Sequence, residues 1–188
     1  MDYPIHDRAP DVAQAIVPMT LDASGRAVPQ SAANPQPVAG IGAVLEATLA
    51  LDTNIYADGD VLSDTVEIAG AFRVAGGTLD IVGAIVHDED DQGAALDLIL
   101  LDANQSLGTR NAAPDISDAN GRKIVARIPV GAGDFYDFGA FKRAEVAVFP
   151  KKVKAGAEST SLFLSAISRG TGTYTASGVR VRLMVAKD

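Results

Sequence analysis

Short segments of alternating apolar and polar residues recur along the chain from residue 44 to its end. Gly, Asp, Asn or Pro residues separate them. A period of two places alternate side chains on opposite faces of a β-strand. The pattern predicts strands at residues 44–51, 61–69, 78–87, 95–101, 122–130, 141–149, 161–168 and 179–186. About eight strands with long connections and no convincing helix favour an all-β, jelly-roll-like β-sandwich over a seven-stranded immunoglobulin-like one.

The same alternation predicts which side chains face the core in each strand. In the last strand, for example, Arg180 and Arg182 are expected on the face opposite to the core. The residues predicted to share an apolar face are Leu45, Ala47, Leu49 and Leu51; Leu79, Ile81 and Ile85; Leu96, Leu98 and Leu100; Ile124, Ala126 and Ile128; and Val179, Val181, Leu183 and Val185.

The first forty or so residues lack a sustained period and hold most of the nine prolines. Proline removes a backbone donor and restricts the residue before it, so no long regular element is expected there. A short edge strand at residues 15–21 and a turn at 22–25 are the local features. We therefore predict an extended, Pro-rich N-terminal arm over residues 1–42 and a β-sandwich domain over residues 43–188. Two interpretations of the arm remain open: a flexible terminus, or a segment ordered against a neighbouring subunit.

Charge and composition narrow the classes of partner. The net charge of −8 disfavours nucleic acid, whose phosphates require clustered Lys and Arg. The one basic cluster, Lys151, Lys152 and Lys154, is expected in a solvated turn or against an acidic partner. The chain has no cysteine, which fits synthesis in a reducing cytoplasm. No apolar run is long enough to predict a membrane span.

No group of residues has the pattern of a catalytic, cofactor or metal site. A Ser-His-Asp triad would have to use His6, in the arm, or His87, at a strand end. The acidic run from His87 to Asp91 lacks the ligand spacing of an EF-hand, so a solvated hairpin tip is favoured over a Ca²⁺ site. The glycine-rich stretches around Gly131 and Gly170 lack the ending of a phosphate loop. We expect a non-enzymatic protein.

Three groups of short motifs resemble a family of tailed-phage virion proteins. The first is Tyr56-Ala-Asp-Gly-Asp60, ahead of the second strand. The second comprises Leu101-Asp-Ala-Asn-Gln105, Asn111-Ala-Ala113 and Ile116-Ser-Asp118. The third is the C-terminal passage through Ser168-Arg-Gly-Thr-Gly-Thr-Tyr174 to Arg182-Leu-Met-Val-Ala-Lys-Asp188, and Leu21-Asp-Ala-Ser-Gly25 in the arm is also similar. Asn111 follows Arg110 where the family has Asp, and Asn120 departs from the expected Asp region.

The resemblance implies a jelly-roll domain of a virion, most plausibly a capsid decoration (cement) protein. Such a protein would be made in the cytoplasm of the bacterial host and would sit on the capsid surface. The implied partners are the major capsid protein and further copies of this chain, with a trimer favoured. Two alternatives stay open: a tail, neck or fibre-base component, and an adhesive carbohydrate-binding β-module.

Overall fold

The fold is described from a computed structural model, and the structure describes residues 19–21, 27–29 and 41–188. The chain divides into two compact units, Met1–Val38 and Ala39–Asp188, and each is described by itself. In the first unit, strands β1 (Met19–Leu21) and β2 (Ala27–Pro29) pair antiparallel. The predicted strand at 15–21 is thus described only at its end. The predicted turn at 22–25 and most of the predicted arm lie outside the described residues.

The second unit contains nine strands in two antiparallel sheets. The four-stranded sheet has the order β4-β10-β6-β7, and the five-stranded sheet has the order β3-β11-β5-β9-β8. A four-residue helix, α1 (Asp118–Gly121), and a 3₁₀ turn at Ala132–Asp134 lie in the connections. No described helix is long and apolar enough to cross a membrane. The strands are β3 (Ile41–Thr48), β4 (Val61–Ile68), β5 (Thr78–Asp88), β6 (Leu96–Leu101), β7 (Ile124–Val130), β8 (Phe135–Asp137), β9 (Lys142–Lys154), β10 (Leu162–Ser168) and β11 (Val179–Lys187).

The strand order is that of a jelly roll. The first strand of this unit, β3, pairs with the last, β11, and β4 pairs with β10, the strand before the last. Nested pairing of this kind makes successive strands alternate between the two sheets over most of the chain, as in a double Greek key. The prediction of an all-β jelly-roll-like sandwich is confirmed. The sequence predicts eight strands for this unit, and the additional one is β8, a three-residue strand at the edge of the five-stranded sheet.

Most of the predicted core side chains are buried between the sheets. The alternating residues of β11, from Val179 to Val185, are each at most 2% exposed, whereas Arg180 and Arg182 point away from the core. Leu45, Ala47, Leu49 and Leu51 are also buried. The turn predicted at Asp58-Gly59 is present, with Gly59 at φ 94°, a value that favours glycine.

Two side chains that were predicted to face the core, Ile85 and Ile124, lie on the outer face instead, and a β-bulge explains each case. Ile81 is fully buried, but Val82 is an extra residue relative to the neighbouring strand β11, so the alternation in β5 shifts by one. As a result Ala84 faces the core and Ile85 lies on the outer face. A second register shift between Leu100 and Leu101 leaves Ile124 exposed. Val125 packs against the core in its place.

Strand β9 is longer than predicted because pairing resumes after an irregularity. Ala147 lies opposite Gly83 and Lys151 lies opposite Ile81, so three residues of β9 oppose the single Val82. Within this bulge Val148 packs against the core and Phe149 is 89% exposed. The three lysines that follow therefore lie on a strand, and the predicted turn is wrong. Lys152 forms ion pairs with Asp188 and Asp80. The hydrogen bonds within these pairs raise the pKa of Lys152, and the bond to Asp188 has the larger effect.

Candidate interaction surface

The outer face of the four-stranded sheet is covered by the chain itself. Strand β6 is buried on both sides: Leu98 faces the main core, whereas Ile99 and Leu101 belong to a second apolar cluster. That cluster also holds Leu107 and the packed Ile116, which lie in the connection from β6 to α1. We call residues 102–117 the covering loop. Its presence means that the four-stranded sheet offers little apolar surface to a partner.

Hydrogen bonds fix the covering loop to the outer strand of this sheet. The backbone N–H of Val61 donates to Ala112 O, and the N–H of Asn111 donates back to Val61 O, at 2.8 and 2.9 Å. The Thr65 hydroxyl donates to Gln105 O at 2.7 Å. Buried backbone groups require such partners, so the loop is an integral part of the fold.

The outer face of the five-stranded sheet has no such cover among the described residues. The strand register places its outward side chains in three rows across the strands. The first row, which reaches β8, contains threonine, arginine, histidine and tyrosine side chains. The second row contains three charged side chains and one isoleucine, and the residues of the third row are small or apolar. We call this surface the open face; its rows are Thr48–Arg180–His87–Arg143–Tyr136, Glu46–Arg182–Ile85–Glu145 and Val44–Met184–Gly83–Ala147.

The charges of the open face are paired with one another. Arg182 Nε lies 2.8 Å from Glu46 Oε1, and Arg180 Nε lies 2.8 Å from Glu89 Oε1, in the loop beside the face. Arg143 pairs along its own strand with Glu145 at 2.5 Å. Exposed pairs of this kind contribute at most about 1 kcal/mol to folding. Their effect is to leave this face locally neutral on a protein of net charge −8.

Exposed aromatic side chains border the open face. Tyr136 and Phe138 are 66% and 59% exposed, and Phe149 is 89% exposed. The Phe138 ring stacks on Phe141 with a centroid distance of 5.0 Å, and Phe141 in turn lies 4.4 Å from the His87 ring. We call Tyr136, Phe138 and Phe149 the aromatic rim. Aromatic and arginine side chains are enriched where proteins bind one another.

A groove of 420 Å³ crosses the open face between β3 and β9. It is lined by Thr48, Ile85 and His87 and by the three paired arginines. Gly83 lies in the third row, where an added Cβ would meet the flexible end of the Met184 side chain. The groove is open to solvent and combines apolar side chains with hydrogen-bond donors, a character that suits a protein or polar polymer surface better than an enclosed small molecule.

The acidic run after β5 is engaged by the protein itself. Asp88 is 1% exposed and accepts hydrogen bonds from the backbone N–H groups of Asp90 and Gly93. Asp90 accepts from Thr175, and Asp91 pairs with Lys142. The run joins the two sheets, so the predicted hairpin tip is wrong. Burial raises the pKa of Asp88 because the apolar surroundings disfavour its ionised form.

No described group of three His, Cys, Asp or Glu side chains is arranged to hold a metal ion. His87 contacts Phe141 on the open face, and His6 lies outside the described residues. The glycine-rich stretches are connections: Gly131 caps a 3₁₀ turn and Gly170 accepts from the Ser168 hydroxyl. The expectation of a non-enzymatic protein stays a prediction.

The first and third phage-like motif groups meet at one end of the sandwich. Tyr56 N–H donates to Gly172 O, Gly59 N–H donates to Ser168 O, and Ser168 N–H donates to Asp60 O. Tyr56 is buried, its hydroxyl donates to Leu62 O, and its ring lies 6.0 Å from that of Tyr174. Burial raises the pKa of both tyrosines. These motifs therefore hold loops together, and the open face lies outside them except for Arg182 and Met184 of β11.

A buried ion-pair cluster stabilises the four-stranded sheet near the same end. Asp97 is 1% exposed, and its carboxylate contacts Arg127 Nε at 2.9 Å and Arg169 Nε at 2.7 Å. The hydrogen bond to Asp97 raises the pKa of the Arg169 guanidinium. Both arginines are partly exposed to solvent, and together they neutralise the charge of the buried Asp97 carboxylate.

No family model matches the sequence. No curated protein matches it either. Solved structures with weak similarity are of infectious bursal disease virus: the Gx strain (16% identity, TM-score 0.19), the Gt strain (14%, 0.18) and T=1 particles derived from the virus (14%, 0.19). Each alignment covers 91% of this chain and 41%, 46% and 44% of the viral chains, so this chain spans less than half their length. Similarity at this level assigns no function.

Proposed function

We propose that this protein is a non-enzymatic structural component of a bacteriophage virion. In this proposal it is a decoration (cement) protein that binds the assembled major capsid protein lattice and stabilises the shell. The observation that carries the proposal is the contrast between the two sheets. One outer face is covered by the covering loop, whereas the other presents a broad, locally neutral surface bordered by aromatic side chains. The phage-like motifs and the jelly-roll strand order give the virion context.

The open face has the chemistry of a docking surface for a protein lattice. Tyr136, Phe138 and Phe149 supply rigid apolar area, and burying it would be favoured by about 25 cal/mol per Å². Arg143, Arg180 and Arg182 are already neutralised by glutamates, so covering them adds little unpaired charge. A partner surface that meets these groups does not need a strong opposite charge.

Stabilisation of the shell follows from mass action. A protein that binds the assembled lattice and not its free subunits lowers the free energy of the assembled state, by about 2.7 kcal/mol when its concentration is 100 times the dissociation constant. Because a capsid repeats its lattice site many times, weak contacts of this kind add up over the particle. The location follows: the protein would lie on the capsid surface after synthesis in the cytoplasm of the host.

The test is the copy number of this protein in purified virions of the phage that encodes it. Quantitative mass spectrometry would compare it with the major capsid protein. A simple ratio to that protein, with hundreds of copies per particle, is the expected result. A few to a few dozen copies would instead favour a tail, neck or fibre-base component. Absence from the virion would contradict the proposal.

The adhesive alternative has one observation in its favour. The groove lies beside the exposed Tyr136 and Phe138 rings, and aromatic rings are common platforms for sugars. Glycan-array binding that is lost in Phe138→Ser, together with absence from virions, would establish this alternative. The chain contains no tryptophan, and we therefore rank it second.

A further inference from the structure

Three of the four edges of the two sheets are protected against pairing, each in a different way. Strand β8 is only three residues long, and β9 beyond it carries a bulge, Pro150 and three lysines. Strand β7 contains Pro129 and Arg127. Strand β4 is occupied, because Asp64 N–H donates to Ala50 O and Val61 pairs with the covering loop. Short length, proline, lysine, bulges and covering segments are the usual devices that prevent strand addition.

Strand β3 shows none of these devices among the residues that the structure describes. Its eight residues pair with β11 in unbroken register from Ile41 to Thr48, without a bulge, a proline or a lysine. No described residue pairs with its other edge. Its single charged side chain, Glu46, is neutralised by Arg182 on the strand behind it. An eight-residue edge without a bulge, whose one charge is already paired, is a template for a further strand.

The hydrogen-bond pattern shows which residues present that template. Leu49 N–H donates to Val179 O, so in this antiparallel pair Leu49 and the residues two and four before it bond inward to β11. The backbone N–H and C=O groups of Gly42, Val44, Glu46 and Thr48 therefore point to the free edge. These same residues are exposed on the outer surface of the sheet, where Val44, Glu46 and Thr48 present their side chains.

We infer that β3 is a self-pairing edge, which joins two copies of this chain into a two-fold dimer with a continuous ten-stranded sheet. A two-fold axis perpendicular to the sheet keeps inner and outer faces on the same sides in both copies. It therefore pairs only residues of the same parity, and all four outward-pointing residues have that parity. Every regular edge strand meets this condition, and β3 meets it without a bulge over all four residues.

If the two-fold axis passes beside Leu45, the backbone groups of all four edge residues form hydrogen bonds with the second copy. Val44 then lies opposite Glu46 of the second copy, and Gly42 lies opposite Thr48. No like charges meet, since Glu46 faces an apolar side chain. Leu45 lies opposite its own counterpart on the core side, so the two cores become continuous at the joint. The dimer also brings the two open faces side by side on one surface, which doubles the area available for docking.

The experiment is a concentration series of the full-length chain by analytical ultracentrifugation. The wild type is expected at twice 19.4 kDa at high concentration. Val44→Pro removes one outward N–H without removing a bond to β11, a change that edge strands tolerate. It is expected to stay folded by circular dichroism and to be monomeric. Val44→Ala is the matched control, because it shortens the side chain but keeps the N–H, and it is expected to dimerise.

A wild type that is monomeric, or trimeric as the phage resemblance implies, would overturn the inference. So would a Val44→Pro variant that still dimerises. If that variant fails to fold, amide exchange of the wild type decides the matter by NMR. The amides of Val44 and Glu46 should become protected only as the concentration rises, and concentration-independent exchange would contradict self-pairing. None of these results depends on the proposed virion role.

Discussion

The two sheets of this sandwich share one core but differ on their outer faces. Leu98 on β6 and Leu183 on β11 are both fully buried between the sheets. On the outside, Leu101 of the four-stranded sheet is fully buried under the covering loop, whereas Phe149 of the five-stranded sheet is 89% exposed. The difference shows that this chain can bury an outer face with its own residues, and among the residues that the structure describes it does so on one side only. The side left open is where a partner has room to bind.

The largest effects are expected where the two sheets are alike. Leu98→Ala and Leu183→Ala each leave a cavity in the shared core and should lower the free energy of unfolding by about 2–5 kcal/mol. Urea unfolding followed by circular dichroism measures both. A loss under about 1 kcal/mol in either variant would contradict the burial that the structure assigns to that residue.

The comparison becomes sharper outside the core. Leu101→Ala removes an apolar side chain covered by the loop and should cost about 2–3 kcal/mol. Phe149→Ala removes a larger but exposed side chain and should change stability by less than about 0.5 kcal/mol. The same urea titrations compare the two. Equal costs would remove the distinction between a covered and an open face.

Two buried aspartates, one on each sheet, give a smaller contrast. Asp97 is held by Arg127 and Arg169, so Asp97→Asn should cost about 1–3 kcal/mol at pH 7 through lost charged hydrogen bonds. Asp88 has backbone donors and no ion pair with any residue that the structure describes, and Asp88→Asn should cost less than Asp97→Asn. Thermal unfolding at pH 7 compares the variants. A larger cost at Asp88 would mean that its ionised form is stabilised more than its surroundings suggest.

The pH dependence of Asp88 has a definite sign. Its folded-state pKa is raised by burial, so its contribution to stability is fully present below the unfolded-state pKa of about 3.9 and is lost as the pH rises through the raised value. The stability of Asp88→Asn relative to the wild type should therefore increase as the pH is raised from about 4 to 7. Melting temperatures across that range test this, and a difference that falls with pH would show that the pKa is lowered.

Much of the fold could be predicted from the sequence because strand alternation is a local property. Segments such as β3 and β11 show the period of two without interruption, and their buried residues follow it. The bulge at Val82 could not be read from alternation, since it depends on which residues of the neighbouring strands lie opposite. Ile85 was placed on the wrong face for that reason.

The candidate surface was harder to predict, although two signals were present. The four consecutive apolar residues from Leu98 to Leu101 are typical of a strand buried on both faces, and they indicated a covered outer face. Pro150 lies directly after the strand predicted at 141–149, and a proline at that position is typical of a strand edge or a bulge. The open face itself is built from side chains on five strands that are distant in sequence. Only the strand register brings Arg143, Arg180 and Glu46 together.

The most direct test of the central claim is binding to shell particles that lack this protein. We would compare the wild type with a triple variant of the aromatic rim, Tyr136→Ser, Phe138→Ser and Phe149→Ser. The matched control is Ile55→Ser with Val74→Ser, which alters side chains of similar exposure in loops away from the open face. Co-sedimentation should show wild-type and control protein bound in a fixed ratio to the shell protein. Binding of the rim variant should be at least about 10-fold weaker. Equal binding by the rim variant, or none by the wild type, would contradict the account.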